Sequence, residues 1–272
     1  MNQVQINSVQ CTLPGSWNEL TRKQLLYVCG LFNTEIRTIP FKLKVLKRFL
    51  GISKKLFRTI SPEDVIFLST TFDFLQLDVT LTRALIKTIR VKGYPWTRYH
   101  GPMDSMSEST FGEFAKAQMR FDLYSKTKDP MALNEMVAIL FRPKKTFWFI
   151  RKHFGQATDP RQMFYDRTLG RRAQRFEKVP IEIKYAVLLF FSGIQSSLTI
   201  RYPNVYKPTA KKESTQLDGW VSLIISLADG KTDDKSLETV MNSNLYTVLI
   251  GLNKKAKEYH EYMSKIESYD RH

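Results

Sequence analysis

Apolar residues recur along most of this chain at intervals of three and four, the spacing of one helix face. Leu25, Leu26, Val28, Cys29 and Phe32 make the first such stripe, and Thr21-Arg-Lys-Gln24 ahead of it has capping-box spacing. Phe41, Leu43, Val45, Leu46, Phe49 and Leu50 make the second, opened by Pro40 and closed by Gly51. Ser61-Pro62-Glu63-Asp64 is a helix start with a serine cap, proline in the first turn and two acids at the positive end of the dipole. Val65, Ile66, Leu68, Phe72 and Leu75 continue it. The run from Leu81 to Ile89 also reads as a short helix, broken by Lys92-Gly-Tyr-Pro-Trp96.

Further along, Ser109 or Thr110 caps a helix running to about Lys126 with Phe111, Phe114, Met119 and Leu123 inward. Asp129-Pro130 opens another, with Leu133, Met136, Val137 and Leu140 on one face, and Arg142-Pro143 closes it. Residues 142–179 are basic, aromatic and irregular, with one short helix expected around Pro160–Gln174. After Pro180 comes a long apolar helix to about Tyr202-Pro203, followed by a surface linker over Pro208–Gln216 and a short helix over Trp220–Ala228. A short helix from Ser236 and a last one from Ser243 or Asn244, apolar at Leu245, Val248, Leu249 and Leu252, end the chain. Val4, Ile6 and Val9 alternate weakly, which fits a short edge strand before a turn at Pro14-Gly15.

These elements predict an all-α fold, a multi-helix globular bundle with a basic irregular insertion. Its core is expected on Pro180–Ile200, with a main domain over residues 1–208 and a C-terminal helical subdomain over 214–272. Tyr185–Phe191 is the most apolar stretch, but Ser192, Gln195 and Ser196 interrupt its continuation. A buried core helix is therefore expected rather than a span of about 18–20 apolar residues. The uncharged start Met-Asn-Gln-Val-Gln lacks the basic and apolar regions of a signal peptide, and two cysteines make no disulfide framework, so a reducing cytoplasm is the expected setting.

Charge changes the picture more than composition does. The chain carries a net +16. Arg37–Arg58 holds eight Lys/Arg and no acid, and Arg142–Lys178 holds eleven Lys/Arg against Asp159, Asp166 and Glu177. Each segment is thus +8, and the remaining residues sum to zero. Concentration of this kind points to an acidic or polyanionic partner.

In the second segment Phe147, Trp148 and Phe149 stand among Lys144, Lys145, Arg151 and Lys152, with Arg171, Arg172 and Arg175 following. Two chemistries use this mixture. Aromatics and arginine dominate protein interface hot spots, and stacked rings beside cations grip single-stranded nucleic acid. The first segment offers a basic helix face of Lys44, Lys47 and Arg48 continuing into Lys54 and Lys55. A membrane surface is the least favoured use of that helix, because its apolar side is needed in the core. Catalytic candidates are weak. His100, His153, His260 and His272 have no metal-binding spacing, no nucleophile elbow or phosphate loop occurs, and Asp159 and Asp166 read as surface ion pairs. Cys29 reads as a small buried hydrophobe. No cofactor, metal or catalytic residue is expected.

Three stretches carry a resemblance: Leu13-Pro-Gly-Ser-Trp-Asn-Glu-Leu-Thr21; Gly101-Pro-Met-Asp104 with Thr110-Phe-Gly-Glu-Phe114 and Ala138-Ile-Leu-Phe-Arg-Pro143; and Trp220–Ala228 with Asn244-Leu-Tyr-Thr-Val-Leu-Ile-Gly-Leu252. In that order the chain resembles a group of phage and prophage proteins of Bacteroidetes encoded among virion or tail morphogenesis genes. The resemblance implies a non-enzymatic structural or assembly role in the bacterial cytoplasm or the virion, with other virion or tail proteins as partners. Weak, non-specific nucleic-acid binding through residues 37–58 and 142–178 is the alternative expectation.

Overall fold

A computed structural model describes residues 1–6, 9–32, 39–148, 153, 159–206 and 233–269. In chain order the elements are β1 (Asn2–Ile6), β2 (Val9–Leu13), α1 (Arg22–Phe32), α2 (Ile39–Leu50), α3 (Lys54–Phe57), α4 (Pro62–Ser69), β3 (Thr88–Val91), β4 (Tyr94–His100), α5 (Phe111–Thr127), α6 (Pro130–Leu140), β5 (Arg142–Pro143), α7 (Leu169–Phe176), α8 (Ile181–Arg201), α9 (Asp234–Asn242) and α10 (Leu245–Tyr269). The protein is mostly helical, as the periodicity predicts. It is not all-α, since β1 and β2 form one antiparallel sheet and β3, β4 and β5 another. The chain divides into two compact units, Met1–Ile86 with Pro180–Ser196, and Lys87–Val179 with Ser197–His272.

The first unit is built on local caps. The Thr21 amide donates to the Gln24 side chain at 2.8 Å and the Gln24 amide to Thr21 Oγ1 at 3.3 Å, the reciprocal bonds expected before α1. Ser61 Oγ accepts from the Asp64 amide at 3.1 Å and starts α4. Phe41, Val45, Leu46, Phe49 and Leu50 of α2 are buried, and Gly51 leaves the helix at φ +64°. Trp17 is buried with Phe74 edge-on at 5.8 Å. Of α8, Ala186, Val187, Leu189, Phe190, Phe191 and Ile194 are buried. This helix is long and apolar enough by length and composition to cross a membrane, and half of its most apolar window is buried. A Cβ on Gly193 would lie 2.6 Å from the Leu81 backbone nitrogen, the close approach of a core helix.

Residues 81–89 correct the sequence expectation. Asn18 Oδ1 accepts from the amides of Thr82 and Arg83 at 2.8 and 3.0 Å, which holds that segment out of a helix. Thr88–Val91 then pairs with β4 across a turn at Lys92-Gly93, where Gly93 takes φ +87°.

In the second unit Thr110 Oγ1 caps α5 through the Glu113 amide and Asp129 Oδ1 caps α6 through the Met131 amide. Leu133, Met136, Val137 and Leu140 are buried as expected, whereas Leu123 of α5 is exposed and Tyr124 turns inward instead. The helix expected around Pro160–Gln174 begins later, at Leu169. Residues of the C-terminal helices pack within this unit: the Phe111 amide donates to Ser243 O at 2.9 Å and the Leu245 amide to Ser109 O at 3.0 Å. Gly112 permits the approach, since a Cβ there would meet the Met241 carbonyl at 2.9 Å. Leu245, Val248, Leu249 and Leu252 are all buried. The expected linker over Pro208–Gln216 and helix over Trp220–Ala228 lie outside the described residues.

Candidate functional site

The basic insertion leaves the second unit on a two-stranded stem. Arg142-Pro143 pairs with the end of β4, with His100 opposite Arg142. Lys144 bridges to Arg161, the Lys145 amide donates to Pro160 O at 2.8 Å, and the Gln162 amide donates to Pro143 O at 2.9 Å. Both legs of the loop are therefore paired where they meet the helical body.

Four charged side chains tie that stem to α5. Glu113 is 1% exposed, Arg161 1% and Arg142 4%. Arg142 Nη2 reaches Glu113 Oε2 at 2.8 Å, Arg161 Nη2 reaches the same oxygen at 3.1 Å, and Arg161 Nη1 pairs with Glu113 Oε1. Asp159 completes the cluster, accepting from Arg161 Nε at 2.9 Å and lying 2.9 Å from its Nη2. Arg161 also donates to Leu140 O and Ser109 Oγ, so its donors are met from four directions. Burial pulls the Arg161 guanidinium down, but the two carboxylates more than offset it and hold it above its ordinary value. Arg142 is held below, because burial and the neighbouring Arg161 outweigh its contact with Glu113. Asp159 is thus part of a buried cluster, not the surface ion pair its sequence neighbours suggested. Asp166 does form an exposed pair, with Lys116.

At the far end of the stem, residues 145–148 make a turn closed by the Trp148 amide on Lys145 O at 3.2 Å. Phe147 occupies its left-handed position, φ +55°, and the residue is 64% exposed. Such a φ is an outlier for a bulky side chain. Trp148 is half-buried, with the Lys144 ammonium 4.3 Å from its ring centroid. Beside the stem opens a cavity of about 400 Å³, lined by Met163, Phe164, Tyr165 and Met241 together with acids such as Glu108, Asp166 and Glu238 and bases such as Lys116, Lys145 and Arg161.

The remaining expected site residues divide sharply. Arg171 is exposed. Arg172 is buried, its Nε and Nη2 have no hydrogen-bond partner among the described residues, and burial followed by the nearby Arg142 pushes it down to about 10. It is therefore not a surface contact residue. Arg175 works internally: its Nη1 donates to the Tyr99 hydroxyl at 3.2 Å and its guanidinium lies 4.6 Å from the Tyr94 ring centroid. Phe149 and Arg151 lie outside the described residues. In the first unit Lys44, Lys47, Arg48, Lys54 and Lys55 are all exposed along α2 and α3, and none of Lys47, Arg48, Lys54 and Lys55 forms an ion pair with a described residue.

Glu113 and Arg161 escape sequence reasoning. The one signal was a carboxylate inside the apolar run Phe111–Ala115, a position that demands a buried cation once the helix is packed. The cysteines are chemically quiet: Cys29 is buried and its thiol is pushed up to about 12 by burial and by Glu182, and Cys11 Sγ donates to Leu50 O at 3.6 Å. Among the described residues no three His, Cys, Asp and Glu side chains are grouped to hold a metal ion. Comparison with protein-family models, curated proteins and solved structures finds no match to the chain.

Proposed function

We propose that the chain is a non-enzymatic binding protein, a phage structural or assembly component of virion or tail morphogenesis that acts through protein–protein contacts. The observation that carries the contact reading is Phe147, a large ring exposed at a left-handed backbone position on a stem tied down by buried charges. Strained residues of this kind gather at binding sites, and exposed aromatics beside cations are the residue types of interface hot spots. Phe147 and Arg171 are the accessible members of the set, with Phe149 and Arg151 in the same segment of sequence. The morphogenesis part rests on the three-stretch resemblance, and it makes other virion or tail proteins the partners, met in the host cytoplasm or in the particle. Affinity capture with the tagged full chain against the products of neighbouring genes is the test. Recovery of a virion or tail protein, lost with Phe147→Ala, is expected. Turnover of a small molecule with no such protein recovered would overturn the proposal.

A second reading has its own observation. The exposed row Lys44, Lys47, Arg48, Lys54 and Lys55 presents cations along two successive helices, the footprint of sequence-tolerant nucleic-acid binding. On this reading binding is weak and non-specific.

A further inference from the structure

We infer that the fold holds a small monovalent anion, of the size of chloride, between the guanidiniums of Arg142 and Arg172, where it joins α7 to the root of the basic loop. The site is separate from the protein-contact surface proposed above, and neither reading depends on the other. Arg142 Nε, Arg172 Nε and Arg172 Nη2 are buried and have no hydrogen-bond partner among the described residues. The two residues are 4% and 7% exposed, so solvent outside the fold does not serve these groups. All three are donors, and what they call for is an acceptor.

The charge count agrees. Arg142, Arg161 and Arg172 bring three positive charges together, and Glu113 and Asp159 supply two negative ones. Arg142 and Arg161 both pair with these carboxylates, whereas Arg172 forms no ion pair with a described residue. Burial and the neighbouring Arg142 push Arg172 down to about 10, and Tyr99 and Glu113 oppose them only in part. A guanidinium at about 10 keeps its proton at neutral pH. Losing a proton therefore does not relieve the excess, and a counter-ion does.

Tyr99 locates the two arginines. Its strand partner is Pro143, the residue after Arg142. Its ring packs on Phe176 of α7 at 4.8 Å, and Arg172 lies four residues before Phe176, on the same face of that helix. The Tyr99 hydroxyl accepts from Arg175, not from Arg172. The excess of one charge suits a monovalent ion, and a divalent one would overshoot it. Arg172 is not among the residues lining the cavity beside the stem, and the acids there repel an anion, so the ion sits inside the fold and not in that cavity.

Two measurements test the inference. Crystals of the full chain grown in bromide should show an anomalous peak within hydrogen-bond reach of Arg142 Nε and Arg172 Nη2. Water at that place, with no anomalous peak, overturns it. In solution, chloride replaces gluconate, an anion too bulky for the site, at fixed ionic strength. A ligand bound only to the folded state stabilises it by mass action, so the thermal midpoint of the wild type should climb with the logarithm of chloride concentration. Arg172→Met removes the excess charge and two of the three donors. It should lose that response while matching or exceeding the wild type in gluconate. Lys126→Met, an exposed change on α5, controls for screening at the surface and should respond as the wild type does. A chloride response shared by Arg172→Met, or absent from the wild type, overturns the inference. If Arg172→Met fails to fold, the bromide peak decides alone, because it needs no variant. The contact reading of Phe147 stands or falls by partner capture, independently of either result.

Discussion

At Phe147 a backbone angle of φ +55° costs a bulky residue about 1–3 kcal/mol, and its exposed ring recovers little of that by packing. Glycine adopts the same angle without penalty. Phe147→Gly is therefore expected to raise the free energy of unfolding by about 1 kcal/mol, seen as a higher urea midpoint, while partner capture falls. A lower midpoint would show that the ring packs on its own fold and is no hook. Glu113 presents the opposite case. Its oxygens pair with both Arg142 and Arg161 in a buried cluster, and breaking a buried pair from one side costs about 3–5 kcal/mol. Glu113→Gln should lower the midpoint accordingly, and Asp166→Asn, in the exposed pair with Lys116, should change it by less than about 1 kcal/mol. If both variants behave alike in urea titrations, the cluster does not fasten the stem. Arg172 is a buried cation whose Nε and Nη2 have no hydrogen-bond partner among the described residues, so its burial is only partly offset by Tyr99 and Glu113. Replacing such a charge by an apolar chain is neutral or stabilises by about 1–4 kcal/mol. Arg172→Met should thus hold or raise the thermal midpoint, and a marked drop would show that the guanidinium contributes a stabilising contact to the fold.

Two glycines test the helices as elements. A Cβ at Gly193 would sit 2.6 Å from the Leu81 nitrogen, and backbone cannot swing aside as a side chain does. Gly193→Ala is expected to destabilise by more than the about 1–3 kcal/mol of ordinary overpacking. Gly251, inside α10 with nothing within 4 Å, should give the reverse, about 0.5–1 kcal/mol of added stability as alanine. Calorimetric midpoints moving in the same direction would refute the tight α8 packing. This contrast also explains what was legible in the sequence. Caps at Thr21, Ser61, Thr110 and Asp129 act on amides two or three residues away, so their helices could be read directly. Residues 81–89 could not. Leu81, Leu85, Ile86 and Ile89 have helical spacing, but Asn18, over sixty residues earlier, claims the Thr82 and Arg83 amides, and β4 claims the strand that follows. The loop was legible for its aromatic and basic composition. Its fastening was not, because Glu113 and Arg161 meet across forty-eight residues of sequence, and only the packed fold reveals which acid lies under which arginine.

For the whole molecule the deciding quantity is where the +16 resides. Arg37–Arg58 lies outside the second unit and Arg142–Lys178 lies within it, so the two charge concentrations belong to different folded units and can be altered independently. The first presents a regular exposed row on α2 and α3 with its apolar side buried. The second surrounds an exposed ring and a cavity with mixed charge. A regular row of cations attracts phosphates by counterion release, and the slope of log affinity against log salt falls by about one for each contact removed. Combining Lys47→Ala, Arg48→Ala, Lys54→Ala and Lys55→Ala should therefore flatten the salt dependence of oligonucleotide binding and leave capture of a protein partner intact. Phe147→Ala should do the reverse, removing the protein partner without changing the oligonucleotide slope. Gel-shift titrations over a range of salt, run beside affinity capture for each variant, measure both. Loss of both activities from either set would mean that one partner uses both segments. Absence of any shift at low salt, where weakly basic proteins still bind non-specifically, would remove nucleic acid from the account and leave the α2–α3 row as a solvated face.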